Sequence, residues 1–292
     1  MAVAVLMLPG LDAFAKLAAA SVPSGQVAWF RFIFQALVLL PLVLWKHRGW
    51  PRVSRIPVHA LRGTLIALAT LLFFTALVHL PMAEAIAIFF VEPLILTLFS
   101  TLFLGESVGW RRVLAILVGF GGALLVIRPS YAAFGPAALL PLGTAVCFAG
   151  YLAMSRSLAR DGDALTMQFT TGIAGGIVMS VALAIGWGTG MPYLAPVLPS
   201  QEALLLLVAM GCVATAGHML LVQAFRYAPA GLLAPFQYLE IVSATILGYL
   251  VFGDLPDLTT FVGVTIIVAS GLYVFHRERQ IALRPPPELP AP

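Results

Sequence analysis

Stretches of about twenty mostly apolar residues, each long enough to cross a bilayer, recur along the whole of this chain. One reads LLAPFQYLEIVSATILGYLVFGD, from Leu232 to Asp254, and holds Glu240 near its middle. A soluble fold has no interior large enough to hide so many such segments. Apolar residues make up 61% of the 292 and charged residues 10%, against roughly 45–50% and 25% in soluble domains. The surface of this chain must face lipid, and the class this implies is an all-α polytopic membrane protein.

Apolar runs and their breakers predict ten helices, over roughly 2–20, 27–46, 61–79, 83–104, 110–128, 136–157, 164–187, 201–225, 230–252 and 258–276. The breaks include SVPSG at 21–25, MPYLAPVLPS at 191–200 and GDLPD at 253–257. The first run has no basic leader, and Asp12 and Lys16 interrupt it, so it reads as a retained, rather short membrane helix and not a signal peptide. Cys147 and Cys212 lie in apolar segments without metal-ligand spacing. Neither a disulfide framework nor a zinc site follows, and no metal or cofactor is expected.

Lys and Arg in short loops set orientation. With both termini in the cytoplasm, the inner loops and tail hold Lys46, Arg48, Arg52, Arg55, Arg62, Arg111, Arg112, Arg156, Arg160, Arg226, Arg277, Arg279 and Arg284, thirteen in all. The outer loops hold Arg128 alone, and Lys16 and Arg31 lie within helices. This asymmetry accounts for the net charge of +4 without a nucleic-acid partner. Trp29, Trp45, Trp50, Trp110 and Trp187 fall near segment ends, where an aromatic belt places them.

The chain also repeats itself. HLPMAEAIAIFFVEPLILTLFSTLFLGE (79–106) lies over YAPAGLLAPFQYLEIVSATILGYLVFGD (227–254) at a constant offset of 148. Pro81 then matches Pro229, Glu92 matches Glu240, Gly105 matches Gly253, and Glu106 matches Asp254. The expected organisation is two five-helix repeats, 1–130 and 131–279, followed by a proline-rich disordered tail, 280–292. Five is odd, so the second repeat enters the membrane inverted. Inverted repeats around a midplane site are the architecture of many secondary transporters.

Several motifs point further: WFRFIFQALVLLPL (29–42), LFLGE (102–106), LVFGDLPD (250–257) and GVTIIVASGLY (263–273). Over essentially its whole length the chain resembles the drug/metabolite transporter superfamily in its ten-helix EamA branch. FQYLE with GYLVFGDLPD most resembles bacterial amino-acid exporters of the YddG type. The resemblance implies a multi-pass protein of the bacterial inner membrane that exports amino acids or related metabolites, aromatic and other apolar ones foremost, by alternating access. Asp254 departs from the glutamate common at that place in the second half.

The two glutamates within apolar helices are the first candidates for the site. A charge at the bilayer centre costs about 2.5–3.5 kcal/mol on insertion scales, so Glu92 and Glu240 need a partner, a proton or a wet cavity. They either meet a substrate ammonium group or carry a proton, or they bond a neighbouring helix. Phe89 and Gln237 precede the glutamates by three residues and share their face. Phe90 and Tyr238 precede them by two, about 200° around the helix. Lys16 faces either a substrate carboxylate or Asp12 four residues before it, and pairing with Asp12 is favoured. Arg31 reads as a snorkelling side chain near the outer face. His79, before Pro81, is a gate or proton-acceptor candidate. His218 lies mid-segment, where an interhelical hydrogen bond is the simpler role. Tyr151 and Tyr238 are the tyrosines kept as candidates. Glu106 and Asp254, beside glycines at helix ends, read as anchors.

No GxxxxGK[ST], HExxH or GxSxG motif occurs, which removes the common signatures of an ATP motor and of hydrolytic enzymes. The expected partners are a small-molecule substrate and the lipid bilayer, with a monomer as the working unit. Gly172 and Gly176, and Gly186 and Gly190, show the spacing that lets helices approach closely, within the bundle in the favoured reading.

Overall fold

The computed structural model describes residues 1–51, 53–104, 110–158, 163–227, 236–237 and 239–282. Among them all regular structure is helical. The elements are α1 (Ala2–Ala18), α2 (Ser24–His47), α3 (Ile56–His79), α4 (Met82–Phe89), α5 (Glu92–Leu104) and α6 (Trp110–Phe134), then a 3-10 turn (Gly135–Leu139), α7 (Leu140–Leu158), α8 (Ala164–Thr189), α9 (Gln201–Tyr227), α10 (Leu239–Leu247) and α11 (Leu258–Ala282). A π-helical turn, Gly248–Phe252, extends α10. Six helical stretches are long and apolar enough to cross a membrane, which makes this a multi-pass membrane protein.

The sequence predicts one unbroken helix over 83–104, and the structure corrects this. α4 ends at Phe89, and α5 begins at Glu92. Pro93 is the reason. It has no N–H for the carbonyl of Phe89, four residues before it, and its ring would strike that carbonyl. The residue before a proline is also pushed away from helical geometry. Glu92 therefore opens a new helix instead of sitting inside an old one. The proline in the second half, Pro235, lies outside the described residues.

Helices pack in long pairs: α6 along α11, α2 along α8, α1 along α9 and α3 along α7. Smaller interfaces join α3 to α8, α5 to α7, α1 to α10 and α2 to α9. Lipid-facing apolar surface cannot drive this association, so close backbone approach and interhelical hydrogen bonds must. Glycines supply the approach. A Cβ on Gly122 would lie 2.9 Å from the Gly263 carbonyl oxygen, and one on Gly263 would lie 2.8 Å from the Gly122 carbonyl oxygen. On α8, a Cβ on Gly172 would meet the backbone of Ala36 at 3.0 Å, and one on Gly186 would meet Leu194 at 2.2 Å. These α8 glycines serve contacts within the chain.

Polar side chains stitch the ends. Asp163 caps α8, accepting from the backbone N–H groups of Leu165 (2.9 Å) and Thr166 (3.0 Å). It also meets the Lys46 ammonium at 3.2 Å and His47 Nε2 at 3.0 Å, tying the end of α2 to the start of α8. Partial burial works against its charge, but the Thr166 backbone and hydroxyl bonds and the Lys46 ammonium outweigh it and hold the carboxyl down at about 2.

Two outcomes follow. Gly122→Val should force α6 from α11 and lower stability by about 1–3 kcal/mol, read as a lower Tm in detergent. Gly121→Ala, next along the helix with nothing within 4 Å of its Cβ, should leave Tm unchanged or slightly raised. Asp163 has a lowered carboxyl pKa, so its ionic contribution is present above the ordinary value of 3.8 and fades as pH falls toward about 2. Asp163→Asn keeps a cap and loses the charge. Its Tm deficit against wild type at pH 7 should close between pH 4 and pH 2, and a pH-independent deficit would assign the loss to packing.

Candidate functional site

One cavity, of about 120 Å³, lies where α1, α2, α3, the α4–α5 break, α7, α9 and the start of α10 converge. It has room for several waters or part of a small solute. Its wall is mostly apolar, and Phe73, Phe74, Phe89, Phe90 and Phe148 supply its aromatic share. The Phe89 ring sits 5.8 Å from Phe73, 6.1 Å from Phe90 and 5.4 Å from Phe148 by centroids. Phe89, the last residue of α4, and Phe90, in the break before Pro93, both line the wall.

Against this wall stand a few polar groups. Asp12, Glu92 and Glu240 contribute carboxyls, Arg31 a guanidinium, His218 an imidazole, Gln237 an amide, and Thr70 and Thr144 hydroxyls. Arg31, Glu92, Asp12 and His218 are 4%, 4%, 6% and 8% exposed. Arg31 Nη1 donates to Thr70 Oγ1, and Nη2 lies 3.1 Å from His218 Nε2. The guanidinium carbon stands 4.9 Å from the centre of the Phe32 ring. Arg31 Nε is buried with no hydrogen-bond partner among the described residues. A guanidinium carries five N–H donors in a planar fork that matches a carboxylate. The site therefore holds one fork facing a cavity and three carboxyl groups sharing that cavity.

The structure brings Phe89, Glu92, His218, Gln237 and Glu240 to this one cavity. Tyr151 stands behind it. Its ring packs 5.5 Å from Phe148, and its hydroxyl accepts from Arg62 Nη2 at 3.3 Å. Lys16 and His79 lie elsewhere, and Tyr238 lies outside the described residues. The Lys16 ammonium donates to the Leu80 carbonyl at 2.8 Å, stands 3.6 Å from the Asp254 carboxylate and 4.8 Å from the centre of the Phe252 ring. The expected Asp12–Lys16 pair is thus replaced by a pair joining α1 to the end of α10. His79 Nε2 meets the Tyr193 hydroxyl at 2.9 Å on the surface.

Sequence reasoning missed Arg31. Its expected snorkelling is overturned by its burial and by its bonds to α3 and α9. α2 starts at Ser24, three residues earlier than anticipated, and its first turn is covered by a bond from Gly25 N–H to the Tyr193 carbonyl (2.9 Å). Arg31 therefore lies two turns inside. A signal did exist, since Arg31 and Lys16 are the two basic residues that the loop count leaves within helices. Asp12 was also placed with the wrong partner. Among the described residues no group of three or more His, Cys, Asp or Glu could hold a metal ion.

This geometry can be set beside known proteins. The model of the EamA-like transporter family matches the chain twice, at residues 1–128 and 135–275. The S-adenosylmethionine uptake transporter of Rickettsia bellii is 30% identical over 92% of this chain and 89% of its own. The riboflavin transporter of Brucella anthropi is 26% identical over 88% and 89%. The pseudopaline exporter CntI of Pseudomonas aeruginosa is 29% identical over 89% of each. A solved crystal structure shares the fold with a TM-score of 0.63 at 21% identity, over 96% of both chains. With two family matches that together span most of its length, the chain belongs to the EamA-like transporter family.

Proposed function

We propose that this protein is a secondary transporter that moves an amino acid or amino-acid derivative through the cavity by alternating access. In this reading ten helices cross the inner membrane as two inverted five-helix repeats, 1–130 and 131–279, with both termini in the cytoplasm. The helix pairs support the two-fold relation. If α1 corresponds to α7, α2 to α8, α3 to α9, α4–α5 to α10 and α6 to α11, then α2–α8 and α6–α11 map onto themselves. The α1–α9 interface maps onto α3–α7, and α5–α7 onto α1–α10. The double family match supports the same division.

The observation that carries the substrate class is the meeting of Arg31 with three carboxyls under an aromatic wall. Arg31 takes the substrate carboxylate in its fork. Glu92, Glu240 and Asp12 take the ammonium group or hold a coupled proton. Phe73, Phe89, Phe90 and Phe148 take an apolar, aromatic or sulfonium-bearing body. S-adenosylmethionine is itself a methionine derivative, so the Rickettsia relatives and an amino-acid exporter of the YddG type agree on a substrate headgroup. Net direction is set by the gradients, since alternating access runs either way.

Proteoliposomes offer the test. The panel is labelled L-phenylalanine, L-methionine, L-threonine, S-adenosylmethionine and riboflavin, each with and without a proton gradient. Saturable flux should appear for at least one solute with an α-amino-acid headgroup. Arg31→Lys, which replaces the fork by a point charge, should cut that flux about tenfold or more, the loss of one charged hydrogen bond of about 1.5–3 kcal/mol. Flux of riboflavin alone, or a folded Arg31→Lys protein at wild-type rates, contradicts the reading. Glu92→Gln and Glu240→Gln should each lower flux or abolish its response to the proton gradient. Two stable variants that transport normally at every pH would return both glutamates to a packing role.

A further inference from the structure

The two partners of Arg31 share a feature. Thr70 Oγ1 donates its hydrogen to the Ile66 carbonyl, one turn back on α3, at 2.8 Å. His218 Nδ1 lies 2.9 Å from the Ala214 carbonyl, one turn back on α9. A carbonyl only accepts, so Nδ1 must carry the hydrogen. Each side chain has thus spent a hydrogen on its own helix and faces Arg31 with a lone pair. The Nδ1–H tautomer leaves Nε2 an acceptor, and the guanidinium N–H at 3.1 Å donates to it. An imidazolium would set two donors against each other there.

We propose that His218 is a positioning residue that acts as a neutral acceptor. With Thr70 it turns Arg31 so that the Nε edge of the guanidinium is presented to the carboxylate of the transported solute. Two of the five N–H donors are taken by Thr70 and His218. The remaining three are Nε–H, which has no partner among the described residues, and one hydrogen on each Nη. Nε–H and a neighbouring Nη–H form the side-on pair that grips both oxygens of a carboxylate. The Phe32 ring, 4.9 Å from the guanidinium carbon, packs against the charged group. Three helices, α2, α3 and α9, meet in this one clamp. His218 then sets specificity for an acid over the matching amine through its bond to Arg31, and it relays no proton. This rests on the reading of Arg31 as the carboxylate-binding group.

Two measurements test it. In protein labelled with ¹⁵N-histidine, the signal absent from His218→Phe should be that of a neutral ring with Nδ1 protonated and Nε2 bare. An Nε2–H tautomer or an imidazolium overturns the proposal, whatever the substrate. The second readout is ligand-induced thermal stabilisation in detergent with two matched pairs, L-phenylalanine against 2-phenylethylamine and S-adenosylmethionine against its decarboxylated amine. Wild type should prefer the acid of at least one pair by roughly tenfold or more, because an unmatched buried donor is costly. His218→Phe and Thr70→Val should bring that ratio toward one. His218→Gln, which restores an acceptor near the Nε2 position, should keep it. Full acid preference in folded His218→Phe and Thr70→Val proteins sinks the positioning role. A wild type without acid preference sinks the carboxylate reading of Arg31, and the positioning role with it. Thr70→Val carries the comparison alone where His218→Phe does not yield folded protein.

Discussion

A guanidinium held inside lipid-facing helices must be compensated, because a charge at the bilayer centre costs several kcal/mol. Arg31 meets this demand with a hydroxyl from α3, a ring nitrogen from α9 and the carboxyls across the cavity, and with the ring of Phe32 beside it on α2. The two hydrogen-bond partners, Thr70 and His218, lie 39 and 187 residues away in sequence. The compensation therefore also fixes how α2, α3 and α9 stand to one another, and with them the space that they enclose. Polar contact and glycine-mediated approach take over the work that hydrophobic burial does in a soluble core.

The ends of α3 show how that space is bounded. At its start, Arg62 is 2% exposed and donates to Ser155 Oγ (2.7 Å), the Met167 carbonyl (3.0 Å) and the Tyr151 hydroxyl (3.3 Å). Just past its end, the Leu80 carbonyl accepts from Lys16, which also meets Asp254. Between them Ile66, Ala69, Thr70, Phe73 and Phe74 line the cavity. At about 1.5 Å per residue, the two clusters stand some 25 Å apart along the helix. In the alternating-access reading, these are the contacts that part in turn.

Much of this was legible in the sequence, and the failures have physical causes. Lipid-length apolar runs locate helices because every spanning backbone must satisfy itself. Glu92, Glu240 and their neighbours Phe89 and Gln237 stood out because carboxylates inside such runs are costly and because the pattern is repeated. The Asp12–Lys16 pairing failed because i,i+4 proximity is the single contact that a sequence displays. The actual partner of Lys16, Asp254, comes from the far end of the chain. Arg31 was misplaced by a three-residue error in the start of α2, enough to move a side chain from interface to interior. The break at Phe90 and Val91 was written in Pro93, but a proline in a membrane helix can kink as readily as it breaks. Arg62 is assigned to a loop by the positive-inside pattern, and the interhelical bonds that bury it are invisible to that pattern.

The central claim is a hydrated chamber between helices that a solute enters from the aqueous side. Thiol accessibility measures this directly. With Cys147 and Cys212 replaced by serine, a cysteine at Thr144, on the cavity wall, is challenged in membrane vesicles of each orientation with a membrane-impermeant maleimide. The account predicts labelling of this cysteine and protection by the transported solute. A cysteine at Leu124, on the lipid-facing surface, should show neither. A residue 144 cysteine inert from both sides, or labelled equally with and without solute, would contradict it.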